Sequence, residues 1–110
     1  MPFRDYFTYI TTNPSKTVLY TGMTNHLEQR IVEHFLNRGN AKTFAGRYYC
    51  YQLVYFEKFK KPIHAIEREK EIKDWRRELK IELIESTNAD WRFLNQDIMD
   101  WPPDFERTSR

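Results

Sequence analysis

The chain has a single cysteine in its 110 residues, Cys50, and no cluster of Cys and His at zinc spacing. An internal disulfide framework and a structural zinc site are therefore both excluded. A reducing compartment suits such a chain, and the cytoplasm is the expected location. Cys50 stands among tyrosines and reads as a small buried hydrophobe. No apolar run approaches the length needed to cross a bilayer. The opening residues, Met1-Pro2-Phe3-Arg4-Asp5, carry no apolar segment behind a basic one, so no secretory signal is expected. Charge of one sign is also lacking: 18 Lys and Arg against 16 Asp and Glu leave a net charge of +2. That excess is too small to announce nucleic-acid binding, and any basic patch must come from arrangement. Internal repeats and low-complexity segments are absent.

The chain does have aromatic residues, at 16%, and charged residues, at 31%. This combination builds a modest core under a well-solvated surface, which excludes disorder and sets one domain as the expectation. Residues 6–11 alternate aromatic and β-branched side chains and read as a strand, residues 12–16 as a turn containing Pro14, and residues 18–21 as the returning strand. Register decides whether Tyr9 and Tyr20 share a side of this antiparallel hairpin. A helix is expected from near Asn25, with Asn25 and Glu28 as a capping box. Residues 37–46 read as a loop. The apolar middle of the strand at 52–57 suggests a central position covered on both faces. Pro62 suits the first position of a second helix reaching about residue 75. Residues 78–85 fit a helix better than a strand. Asn88-Ala89-Asp90 looks like the cap of a short helical piece bearing Trp91, Phe93 and Leu94, and the tail from Trp101 has little to bury.

Two positions carry chemistry. At about 100° per residue, Leu27, Ile31 and Phe35 form the apolar stripe of the first helix, with Arg30 and His34 beside it one turn apart. They are either a snorkelling cation and a satisfied boundary histidine, or a pair at a site. In the second helix Ala65, Ile66 and Ile72 define the buried side, and Glu69 falls at its centre, whereas Glu67 and Glu71 face water. A carboxylate aimed inward needs a partner. Either a salt bridge to Arg30, Lys73 or Arg76 supplies it, or a metal or substrate does. His26 and His64 read as solvent residues at helix starts. Lys42, Arg47, Lys58, Lys60 and Lys61 are cations able to track a phosphate backbone, or else solvated surface charges.

With these residues laid out, the chain resembles the GIY-YIG nuclease superfamily over roughly residues 6–95. It is most similar to small stand-alone members related to the amino-terminal nuclease domain found in the ABC excinuclease. Phe7-Thr8-Tyr9 stands at the first signature triplet and Tyr20-Thr21-Gly22 at the second. Phe7 replaces a glycine, Thr8 an isoleucine, and Thr21 the middle residue of the second triplet. Arg30 and His34 match the family's helix positions, Glu69 matches its metal-binding glutamate, and residues 53–57 look like its third strand.

The resemblance implies an α/β protein of the α+β kind, a small three-stranded antiparallel sheet flanked by helices. It places the nuclease domain at residues 1–95 and a C-terminal tail at 96–110. It implies a metal-dependent endonuclease acting on DNA, structure-directed more than sequence-directed, in repair or recombination. Tyr9, Tyr20, Arg30, His34 and Glu69 would be catalytic. Glu69 would be the sole protein ligand of one Mg²⁺ or Mn²⁺ ion, a mode magnesium tolerates. Arg30 would hold the non-bridging oxygens, Tyr20 would act as general base assisted by Tyr9, and His34 would orient water or phosphate. Lys42, Arg47 and Lys73 are candidates for contact with nucleic acid. The implied partner is DNA, branched or damaged, with a targeting protein an open alternative; no membrane is implied. A non-catalytic binding module on the same scaffold, holding nucleic acid or a protein, is the competing reading. A structural domain docking through the aromatics from Trp91 to Trp101 is a third.

Overall fold

The computed structural model describes residues 4–103. Three strands, β1 (Tyr6–Thr12), β2 (Leu19–Thr24) and β3 (Gln52–Phe59), form an antiparallel sheet in the order β2-β1-β3. β1 is central and both of its faces are covered. Successive strand side chains point to opposite faces, and Tyr9 and Ile10, adjacent and both buried, start two separate clusters. On the Tyr9 side lies α1 (Leu27–Leu36), which buries Leu27 and Ile31 against Tyr9 and Leu53. On the Ile10 side lie α3 (Pro62–Lys73) and α4 (Arg77–Thr87), contributing Ile72 and Ile84. Two short helices, α2 (Phe44–Arg47) and α5 (Asn95–Ile98), complete the order. No helix among the described residues is long and apolar enough to cross a membrane.

The stripe Leu27, Ile31, Phe35 is the buried face of α1, and Pro62 opens α3. Residues 78–85 are helical within α4. Several local expectations are corrected. β3 is an edge strand. Its apolar run arises because both faces of the sheet are covered and a bulge interrupts it: Ile10 pairs with Tyr55 and Thr11 with Leu53, leaving Val54 over. Val54 and Tyr55 therefore both join the Ile10 cluster while Leu53 joins the Tyr9 cluster. β2 continues through Gly22 to Thr24, and the Thr24 hydroxyl accepts from the His26 amide at 3.1 Å. The cap of α1 is consequently His26, whose Nδ1 accepts from the Gln29 amide, and the Asn25–Glu28 box does not form. The loop at 37–46 runs into α2, capped by Thr43.

Residues 91–94 are not helical. Trp91 has a φ of 56°, left-handed backbone that ends any helix there. The chain instead seals the outer edge of β3. Leu94 N–H donates to the Leu53 carbonyl at 2.7 Å. Buried Asn95 accepts from Leu53 N–H at 2.7 Å and donates to the Tyr51 carbonyl at 3.0 Å. Asn88 donates to the Val54 carbonyl at 3.1 Å. An exposed strand edge is a template for unwanted pairing, and these contacts occupy it at residues 51–54. The aromatics Trp91 and Phe93 do pack onto the core. Trp101 is also held, its ring 5.0 Å from that of Phe35, so the tail is anchored as far as Pro103. Residues 104–110 lie outside the described part.

Asn95→Ala strands the buried Leu53 amide and the half-buried Tyr51 carbonyl, and is expected to lower stability by about 2 kcal/mol in urea unfolding. Exposed Asn25→Ala is expected to change it by less than about 0.5 kcal/mol.

Candidate active site

The hairpin register decides the site. Tyr9 lies opposite Gly22 and Thr11 opposite Tyr20, so Tyr9, Gly22 and Tyr20 share one face. Gly22 is the space the Tyr9 ring occupies: a Cβ there would stand 2.5 Å from Tyr9 Oη and 2.6 Å from Tyr9 Cζ. Crossing above the glycine, the Tyr9 hydroxyl reaches α1 and lies 2.7 Å from His34 Nε2. The Tyr20 ring packs edge-on to His34 with centroids 5.3 Å apart, and lies 6.3 Å from Tyr9. Arg30, one turn before His34, donates from Nη1 to Glu33 Oε1 at 3.0 Å. Arg30 is 44% and Glu33 49% exposed, a surface pair that holds the guanidinium only weakly. Tyr20, Arg30, Glu33, His34, Thr43 and Phe44 are among the walls of an open cleft of about 470 Å³.

Glu69 lies on α3, in the other layer. The Thr8 hydroxyl donates to the Ala65 carbonyl at 2.7 Å and ties α3 to β1. Arg68 grips Glu57 of β3 through Nε at 3.1 Å and Nη2 at 2.9 Å, and the Tyr55 hydroxyl donates to the same carboxylate. With Arg68 turned to β3, its neighbour Glu69 is turned away from it. Glu69 is 20% exposed and pairs with Lys73 at 3.1 Å. That contact is one of the salt bridges open from sequence. Glu69 does not line the cleft, yet its carboxylate and the Arg30 guanidinium both act electrostatically on the Tyr9 hydroxyl, with opposite sign.

Burial pushes the Tyr9 phenol far above its ordinary range; the Tyr20 phenol adds to the rise and Arg30 opposes it. Burial, seconded by Arg30, lowers His34 from 6.5 to about 4. At neutral pH a protonated phenol therefore faces a neutral imidazole. Among the described residues no group of three or more His, Cys, Asp and Glu could hold a metal ion. A protein cage is absent there, and Glu69 offers a single hard oxygen donor. That donor fits an ion that keeps most of its waters, and the Lys73 contact is half exposed and displaceable.

Of the other candidates, Lys42 and Arg47 line a second hollow that shares Thr43 and Phe44 with the cleft, and Lys73 is the partner of Glu69. His26 and His64 are exposed at the starts of α1 and α3. Two residues at the cleft escape sequence reasoning. Glu33 had a signal in its spacing three residues after Arg30. Phe44 sits in a stretch without periodicity and had none.

Because the folded pKa of His34 is depressed, the unfolded chain binds the extra proton first, and stability falls as pH drops from 6.5 towards 4. Urea unfolding of wild type and His34→Gln should show the difference between them moving against wild type by about 3 kcal/mol between pH 7 and pH 4. A pH-independent difference would contradict the burial of a neutral imidazole.

Comparison with known proteins identifies the family. The GIY-YIG catalytic domain matches over residues 5–82. The chain is 46% identical over 67 residues to a UPF0213 protein of Haloquadratum walsbyi, covering 61% of this chain and 73% of that one. It is 38% identical over 80 residues to a UPF0213 protein of Natronomonas pharaonis, covering 73% and 91%. A UPF0213 protein of Clostridium perfringens is 48% identical over 69 residues, covering 62% and 71%. No solved structure matches the chain. On the match across most of its length and the three-stranded α+β fold, the chain belongs to the GIY-YIG catalytic domain family of nucleases.

Proposed function

We propose that this protein is a metal-dependent endonuclease that hydrolyses phosphodiesters in DNA and reads structure more than sequence. The observation that carries the proposal is the Tyr9–His34–Tyr20 cluster, with Tyr20, His34 and Arg30 together in the wall of an open cleft. Glu69 would hold one Mg²⁺ or Mn²⁺ ion, releasing Lys73. When bound, such an ion supplies neutralisation of the phosphoryl oxygens and activation of water.

The chain's own residues do the rest. Arg30 exchanges Glu33 for a non-bridging phosphate oxygen, a swap favoured because a fork of guanidinium donors matches phosphate and the existing pair is solvent-exposed. Tyr20, in the wall of the cleft, is the base: having given its own proton to solvent, its phenolate takes the proton of the attacking water and becomes the neutral phenol. Tyr9 is too buried to meet that water. It positions His34, whose neutral ring holds Tyr20 edge-on and leaves Arg30 without a competing charge. Lys42, Arg47 and Lys73 contact the phosphate backbone on either side. Contacts of that kind set position and carry no base information, so selectivity is left to substrate shape or to a targeting protein. Work in repair or recombination in the cytoplasm fits this chemistry, and buried, unpaired Cys50 suits that compartment.

With Mg²⁺ or Mn²⁺ the purified protein should nick supercoiled plasmid and cut branched DNA. Glu69→Gln, Tyr20→Phe and Arg30→Ala should each slow cleavage by on the order of 10²–10³ fold while circular dichroism stays that of wild type. If DNA is bound equally with and without the ion and no strand is cut, the protein is a binding module instead.

A further inference from the structure

The stretch between α1 and β3 is neither slack nor ordinary in its surface. Phe44 is 52% exposed and Tyr48 42%, and their rings meet with centroids 4.9 Å apart. Phe44 in turn lies nearly parallel to Tyr20, at 26° and 6.4 Å, so an aromatic strip leads from the cleft out to the surface. Large rings left in water beside a cleft are unfavourable unless something covers them.

The loop holds those rings in place. Gly39 N–H donates to the Gly46 carbonyl at 2.8 Å, Thr43 Oγ1 accepts from Gly46 N–H at 3.0 Å, and Asn40 Oδ1 accepts from Lys42 N–H at 2.9 Å. Gly46 is packed so closely that a Cβ there would meet the Asn40 carbonyl oxygen at 2.6 Å. Tyr49 is held at a φ of 59°, an uncommon conformation for a bulky residue. The exposed rings are therefore presented by a braced backbone.

Beside the strip is a hollow of about 260 Å³ whose walls include Lys42, Phe44, Arg47 and Tyr48. It combines flat apolar faces with two cations and no acidic residue. That chemistry suits a nucleotide whose base is free to stack and whose phosphate is free to pair, and not a fully stacked duplex. An acidic protein segment would use the cations but leave flat ring faces without a matching partner.

We propose that this hollow is a subsite for an unpaired nucleotide next to the scissile phosphate, so the substrate class is DNA with a single-stranded stretch adjoining the cut. The proposal rests on the nuclease reading for its orientation towards the cleft. It gives Phe44 and Tyr48 the role of stacking platform and Lys42 and Arg47 that of phosphate holders.

The test is fluorescence anisotropy at one fixed salt concentration, on Glu69→Gln protein so that no probe is cut. Two labelled probes are compared: a blunt duplex, and the same duplex with a single-stranded overhang. The overhang probe should bind more tightly. Adding Phe44→Ala, or Tyr48→Ala as a second and independent variant, should weaken the overhang probe by on the order of tenfold and leave the duplex unchanged. Lys42→Ala should weaken both. Equal affinity for the two probes, an equal loss on both with Phe44→Ala, or no loss on either overturns the subsite; the last result leaves the face to a protein partner. Failure of the nuclease reading is distinct: wild type would then show the Phe44-dependent preference and never cut either probe.

Discussion

The site depends on one missing side chain. Gly22 leaves the room in which the Tyr9 ring crosses β2, since a methyl group there would overlap the phenol. Because the ring crosses, its hydroxyl meets His34 on α1. Because it meets His34, the imidazole is half-buried, neutral at physiological pH, and packed against Tyr20. The same passage explains why the second signature triplet ends in glycine here: the requirement is steric, since Gly22 lies in an ordinary paired strand and not at a turn.

A second constraint is the rotation of α3. Its buried side is set by Ala65 and Ile72, and its position along the sheet by the Thr8 hydroxyl and the grip of Arg68 on Glu57. With those contacts made, Glu69 is 20% exposed and pairs with Lys73. Arg30 and Glu69 therefore come from opposite layers of a three-stranded sheet in which β2 is an edge strand. The first part of the other edge, at Leu53 and Val54, is occupied by Asn88, Leu94 and Asn95.

What could be read from sequence was whatever is periodic or local. The stripe of α1, the proline opening α3 and the inward side of Glu69 follow from the helical repeat alone. What could not be read depends on pairing between distant segments. The register that brings Tyr9 over Gly22 is a property of the whole hairpin, because sliding by one residue would send both tyrosines to the other face. The start of α1 moved by one position because Thr24 stayed in the sheet opposite Phe7 and turned its hydroxyl to the His26 amide. The Leu53-Val54-Tyr55 run looks like a central strand, yet a bulge divides it between the two faces of an edge strand. Trp101 looks like part of a loose tail until the ring of Phe35 is seen beneath it.

The central claim is that Glu69 carries a divalent ion close to the tyrosine hairpin and Arg30. Paramagnetic broadening tests it most directly: Mn²⁺ is added in small steps to ¹⁵N-labelled protein and the amide signals are followed. The expected result is selective loss of the signals of Glu69, Tyr20, Gly22 and Arg30 in wild type, and none of it in Glu69→Gln. Broadening that centres elsewhere, or that persists in Glu69→Gln, would contradict the account.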